Sequence, residues 1–324
     1  MSEFGNYLLK RVAFAILSIF IIITFDFFLF RLMPGNPIEI LYRNPALTSA
    51  QIAVLNRQFG LNLPLYQQYY LFIWNSLLGN YGISIYYRTA VSQVLYPSLE
   101  NSLVLLVPAT TLAILLGIMT GRIAAWRRGT VTDGFLTGSS MALYSIPTFW
   151  LGEMLILLAI ASSSFPVSGM YTIGEGFSNG FVQLFDLLRH LVLPLVTLTL
   201  VLYGQFTIIM RNSLIDVLDE DYISFARSKG ATERYIMRKH AMPNAELPMI
   251  SLIAVNLGLT VGGAILTEVV FNWPGIGLLI YDSINARDYP VLQAAFLIVA
   301  IAIVLANVVA DVLYSYLDPR IRYS

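Results

Sequence analysis

Six apolar runs constrain this chain more than any other feature of it. They fall at about 12–32, 99–122, 135–161, 190–210, 247–271 and 291–317. At ~1.5 Å rise per residue, each is long enough to cross a ~30 Å hydrocarbon core. Lipid offers the backbone no hydrogen bonds, so such runs become helices that satisfy their own N–H and C=O groups. The expected fold is an all-α polytopic membrane protein with six transmembrane helices. The composition agrees: 57% of the 324 residues are hydrophobic and 12% charged, where a soluble domain carries about 25% charge.

Lys10-Arg11 precedes the first run. A signal peptide starts in the same way but has a shorter apolar core and a small-residue cleavage site. Here the run continues through Asp26 to Met33-Pro34-Gly35, so a retained first helix is expected. Proline punctuates residues 33–97, which form a polar segment between the first two spans. Residues 162–188 are expected to be a polar, Gly-rich connection and 211–244 a long charged loop. The chain then divides into 1–32, the segment 33–97, a five-helix core over 98–317 and a tail at 318–324.

Lys and Arg set the expected orientation. Placing the N-terminus, 122–133, 211–244 and the C-terminus on one side gives that side thirteen of the 19 basic residues, against six opposite. That side is expected to be cytoplasmic, with both termini inside and 33–97 outside, in the cell membrane.

Little enzyme chemistry is available. The chain has no Cys and two His, His190 and His240, assigned to opposite faces, so no shared metal site is expected. No His-Glu-x-x-His and no Gly-x-x-x-x-Gly-Lys-Ser/Thr motif occurs. No catalytic residue, metal or cofactor is expected. Nineteen acids balance nineteen bases, so nothing points to nucleic acid. Asp26, Glu153, Glu268 and Asp311 fall within spans. They leave open a proton-coupled carrier, although a carrier usually shows two related halves and no repeat is visible here. Structural acids are the simpler alternative, with Asp26 packed and hydrogen-bonded, and Gly258-x-x-x-Gly262 fits close helix packing.

The segment 211–244 is the most informative. Asp219 or Asp221 can cap a short helix, Lys229-Gly230 ends it with Gly in the left-handed cap, and Thr232 caps a second helix that Pro243 is expected to stop. Tyr222 and Ala226 share one face, as do Ile236 and His240. Exposed apolar groups on such a corner imply a soluble partner.

These residues resemble the "EAA" loop of binding-protein-dependent ABC importer permeases. Ala226, Gly230 and Pro243 match that pattern, while Ser224, Phe225 and His240 depart from it. Tyr222, Ala226-Arg227-Ser228-Lys229-Gly230, His240 and Asn244-Ala245 resemble the version in the dipeptide/oligopeptide/nickel branch. Pro34-Gly35-Asn36-Pro37, the stretch Thr267 to Gly277, Arg287-Asp288-Tyr289-Pro290 and Leu317-Asp318-Pro319-Arg320 are similar to further signatures of that branch. The long segment after the first span resembles its B-type permease.

The resemblance implies a type I ABC importer (MetI-like) permease fold. It also implies an ATP-driven importer subunit without its own ATP site, with lipid around it. The implied partners are a homologous C-type permease, two ATP-binding subunits and an extracytoplasmic solute-binding protein. Peptides are the implied substrate, with oligosaccharides or nickel complexes as alternatives. Tyr222, Ala226, Arg227, Lys229, Gly230, His240 and Pro243 would couple to the ATPase. Glu268, Phe271, Trp273 and Pro274 are expected to form an outer gate or docking surface, with Trp273 anchoring at the membrane interface.

Overall fold

The computed structural model describes residues 3–32, 62–174, 179–250, 252–253, 256 and 264–317. The helices are α1 (Glu3–Leu32), α2 (Leu65–Leu77), α3 (Val91–Trp126), α4 (Val131–Ser145), α5 (Thr148–Ser162) and α6 (Gly180–Leu218). They continue with α7 (Asp221–Ser228), α8 (Glu233–Ile236), a π turn at Met237–Ala241, α9 (Met242–Ala245), α10 (Ile265–Val270), α11 (Ile276–Ala286) and α12 (Tyr289–Leu317). Among the described residues the one β feature is an isolated bridge between Ile83 and Ala90.

Four helices, α1, α3, α6 and α12, are long and apolar enough to cross a membrane, and the α4–α5 pair makes a fifth if counted as one span. The middle of the expected fifth run, 257–263, lies outside the described residues, as do Gly258, Gly262, Pro34-Gly35-Asn36-Pro37, the Asp311 side chain and the tail 318–324.

The structure corrects several boundaries. The third run is not one rod: α4 and α5 meet at 100°. Pro147 has no N–H to continue the ladder and pushes the residue before it out of the helical region. Ile146 is accordingly extended, at φ −76° and ψ 130°. The second expected span, α3, starts at Val91, so Pro97 lies inside it and not in the preceding segment. The connection after α5 is shorter than expected, because α6 begins at Gly180, where the Asn179 side chain accepts from Val182 N at 3.0 Å. The charged loop also begins later, since α6 runs on to Leu218.

The bundle is built on the α3–α6 pair. Gly117 and Gly121, one turn apart, let the two backbones touch. A Cβ at Gly117 would collide with Phe206 Cβ, and one at Gly121 would sit 2.6 Å from Thr207 O. Thr120 and Thr207 hydroxyls share a 2.7 Å hydrogen bond at the same crossing. Small residues that admit this approach are a general device for helix packing in lipid. On the other side of α6, Gly204 admits the Ser140 carbonyl of α4. At one end of the bundle, Asp133 of α4 accepts two hydrogen bonds from the Arg211 guanidinium, at 2.6 and 2.8 Å.

α1 packs on α12, where buried Asp26 is hydrogen-bonded by Gln293. Buried Asp288, at the start of α12, holds the turn at residues 84–86. It accepts from Ser84 Oγ, from Ile85 N at 3.2 Å and from Tyr86 N at 3.1 Å. His190 is buried too, with Nδ1 2.9 Å from the Asp186 carbonyl.

Candidate functional site

An elbow runs from Asp221 to Ala245 at the Arg-rich end of the bundle. Its geometry starts with two corners. Gly230 follows α7 with φ +81°, a conformation glycine adopts without a Cβ clash. Thr232 caps α8 by accepting from Tyr235 N at 3.4 Å. The expected carboxylate cap on α7 is not there. Glu220 is its N-cap and makes no side-chain cap bond, while Asp219 ends α6 and takes a 2.8 Å salt bridge from Arg128.

Pro243 does not stop the second helix. The π turn Met237–Ala241 precedes it, and the chain continues helically through α9. A π turn closes i→i+5 bonds, which accommodates the missing Pro243 N–H and relieves the clash its ring makes in a regular α-ladder.

The elbow is anchored by its apolar residues. Ile223, Ile236, Met237, Ala241, Ala245 and Met249 are buried in one cluster with Phe206, Met210 and Leu214 of α6 and Ala113 and Ala125 of α3. Ala226 packs against the same cluster. Ile236, expected to share an outer face with His240, is therefore part of this floor. Ser213 Oγ adds a 2.9 Å bond to the Ala245 carbonyl.

What remains outside is aromatic, and each ring has a polar neighbour. Tyr222 OH accepts from Asn244 Nδ2 at 3.2 Å, and burial pushes its phenol up. Lys229 Nζ lies 4.4 Å from the centre of the Phe225 ring. His240 meets Tyr235 edge-on at 5.5 Å. Phe225 and Tyr235 are 61% and 52% exposed, and the pattern in the sequence did not single them out as site residues. Their signal was available: large aromatics beside charges on short helices that already bury Ile223 and Ile236. Arg227 and Glu233 join across the Gly230 corner at 2.9 Å, which raises the Arg227 pKa.

The second expected constellation lies near the opposite end, and it is buried. Glu268, Phe271 and Trp273 are all within 2% of full burial, so Trp273 is not an interfacial anchor and these three side chains offer no docking surface. They form a clamp on α3. The Glu268 carboxylate accepts from Ser102 Oγ at 2.7 Å, Gly277 N at 2.7 Å and Leu278 N at 3.2 Å. It thereby meets the unpaired N–H groups that open α11. Trp273 Nε1 donates to the Asn101 carbonyl at 2.8 Å, and Asn101 Nδ2 donates to the Pro274 carbonyl at 3.0 Å. Glu153 differs from buried Asp26 and Glu268, being exposed on α5. Among the described residues no group of three His, Asp or Glu is arranged to hold a metal.

Four long apolar helices with an elbow packed onto their ends define a multi-pass membrane protein. The sequence matches the family described as "Binding-protein-dependent transport system inner membrane component" over residues 113–323, and its N-terminal companion over 4–97. The chain belongs to this family. It is 36% identical over 98% of its length to a probable peptide ABC transporter permease protein of Sinorhizobium fredii, covering all of that protein. It is 33% identical to the dipeptide transport system permease protein of Escherichia coli and 34% to the oligopeptide transport system permease protein of Bacillus subtilis, covering 98% of this chain and 99% of each. Its fold resembles a chain of the MetNI methionine ABC transporter in an inward-facing conformation. The TM-score is 0.54 at 17% identity, covering 70% of this chain and 97% of that one.

Proposed function

We propose that this chain is one of two permease subunits of an ATP-driven importer of di- and oligopeptides. The elbow 221–245 docks on an ATP-binding subunit in the cytoplasm. An external binding protein delivers the peptide, and a homologous permease completes the path. The carrying observation is the two-sided build of the elbow. Ile223, Ile236, Met237 and Ala241 are buried against α6 and α3, while Tyr222, Phe225 and Tyr235 stay exposed. Such a piece moves as a rigid lever: motion of its outer aromatics reaches α6 through packed side chains, as in other switches that rotate packed bodies. The peptide relatives support the substrate class. The chain itself supplies no ATP site and acts through its partners.

The test is reconstitution of the chain with its neighbouring permease, ATPase and binding-protein subunits in vesicles. Labelled dipeptide should accumulate only with ATP and binding protein present. Uptake by the chain alone under a proton gradient would replace this proposal with a secondary carrier.

A further inference from the structure

We propose that a cavity between the end of α3 and the 234–238 turn binds the phosphate headgroup of an anionic phospholipid. The cavity measures about 500 Å³. Arg122, Trp126 and Arg127 at the end of α3 line it together with Arg234 and Arg238 of the turn and buried Met237. The two walls belong to different parts of the machine, the membrane bundle and the elbow.

Charge bookkeeping singles this cavity out. Arg128, Arg211 and Arg227 each pair with an acid. Among the described residues, no carboxylate pairs with Arg122, Arg234 or Arg238, and Arg127 reaches only the Thr132 hydroxyl, at 3.4 Å. Four guanidinium groups around one cavity repel one another. Their forked donors match the oxygens of a phosphate.

The apolar rim decides the source of that phosphate. Trp126 and Ile123 are 47% and 44% exposed beside the arginines, at the point where a 36-residue apolar helix ends. This is the level at which Trp and Arg meet lipid headgroups. A free anion would make no use of that rim, whereas a phospholipid lays its glycerol and upper chain along it. Basic pockets between membrane helices bind headgroups in this way. A bound headgroup bridges α3 to the 234–238 turn and so fixes the resting position of the proposed lever.

Native mass spectrometry of the purified intact complex tests this, after exchange into phosphatidylglycerol or phosphatidylcholine. The wild-type complex should retain phosphatidylglycerol and release phosphatidylcholine. Each arginine near an anionic headgroup is worth about five-fold in affinity, so Arg122→Gln with Arg238→Gln should weaken retention roughly 25-fold. Arg128→Gln, which removes an arginine outside the cavity, should not weaken it. If the double variant does not assemble, Arg238→Gln alone should show the five-fold loss. Equal retention by wild type and variants would overturn the proposal. So would displacement of the lipid by inorganic phosphate, which would make this a free-anion site. Retained lipid with lost ATP-binding subunits would instead make the arginines a protein contact. The inference rests on the proposed membrane orientation, which thiol labelling at residue 228 reads independently of lipid retention.

Discussion

Arg227 and Glu233 face each other across Gly230, joined by hydrogen bonds of 2.9 and 3.3 Å. Both side chains are about half exposed, so solvent screens the pair and its worth is ~0.2–1 kcal/mol. The raised Arg227 pKa gives a contribution that is present below the unfolded value and lost only as pH rises through the folded one. Both values lie far above neutral pH. Raising pH from about 6 to about 9 should therefore leave this contribution intact. Glu233→Gln should change the thermal midpoint of the purified permease little, and added salt should shrink the difference further. A loss of several kcal/mol would show that the corner depends on this pair.

Gly230 should be the sensitive position in the same corner. Open space surrounds its missing Cβ, so any penalty comes from the positive φ alone. A β-branched residue there should cost ~1–2 kcal/mol. Gly230→Val should leave membrane insertion intact but reduce co-purification of the ATP-binding subunits and substrate-stimulated ATP hydrolysis. Gly230→Asn, which tolerates positive φ, should recover most of both. Full activity in the valine variant would overturn the proposed role of the elbow in coupling.

Glu268→Gln should destabilise the permease before it alters transport chemistry. The carboxylate accepts from three donors. An amide keeps one acceptor oxygen and turns an N–H₂ toward a donor, at a cost of ~1–3 kcal/mol. Gly275→Ala should be harmful for a related reason, since its Cβ would strike the Glu268 carboxyl group. A detergent melting curve reads both effects. An unchanged midpoint in the glutamine variant would argue that the clamp is dispensable.

The glycines divide cleanly. Gly117→Ala and Gly121→Ala place a methyl into backbone and Cβ atoms of α6 and should cost ~1–3 kcal/mol each. Gly134→Ala and Gly138→Ala, helical and open on all sides, should be neutral or gain up to ~1 kcal/mol. Parallel melting curves compare the four, and an equal effect at all positions would contradict the α3–α6 contact.

Orientation is testable because the chain has no Cys. Tyr86→Cys, at an exposed site, should react with an impermeant reagent from outside, and Ser228→Cys only from inside. Ser84 is unsuited to this purpose, since it is 1% exposed and its hydroxyl holds Asp288. Reversed labelling would overturn the proposed orientation and with it the proposed cytoplasmic placement of the elbow.

The helical spans were legible because lipid imposes length and apolarity on each segment separately. Breaks and extensions were less so. The bend at Ile146-Pro147 sits inside an unbroken apolar run, so hydropathy passes straight over it. The first turns of α6 were hidden by Gln183, Asp186 and Arg189, polar residues that read as loop until Asp186 is seen accepting from Thr172 N and Oγ1 at 2.8 and 2.7 Å. Gly230 and Thr232 were readable because their roles are local. Trp273 was misplaced because its partner, the Asn101 carbonyl, is 172 residues away. Gly117-x-x-x-Gly121 carried a recognisable packing pattern, but nothing local says which helix fills it.

The π turn ahead of Pro243 sets a rotational phase. Buried residues Met237, Ala241, Ala245 and Met249 recur every fourth position without the three-residue steps that a 3.6-residue period requires. In a regular α-helix such a row would drift by about 40° per step and wind off the floor formed by Met210 and Leu214. The wider turn holds it on that floor. Removing one residue from 237–241 would close the wide turn to an ordinary α-turn and put Pro243 into a regular α-ladder, where its ring clashes. A single-residue deletion would thus leave composition, hydropathy and the elbow's exposed rings almost unchanged, yet strain the joint where the elbow passes through Pro243.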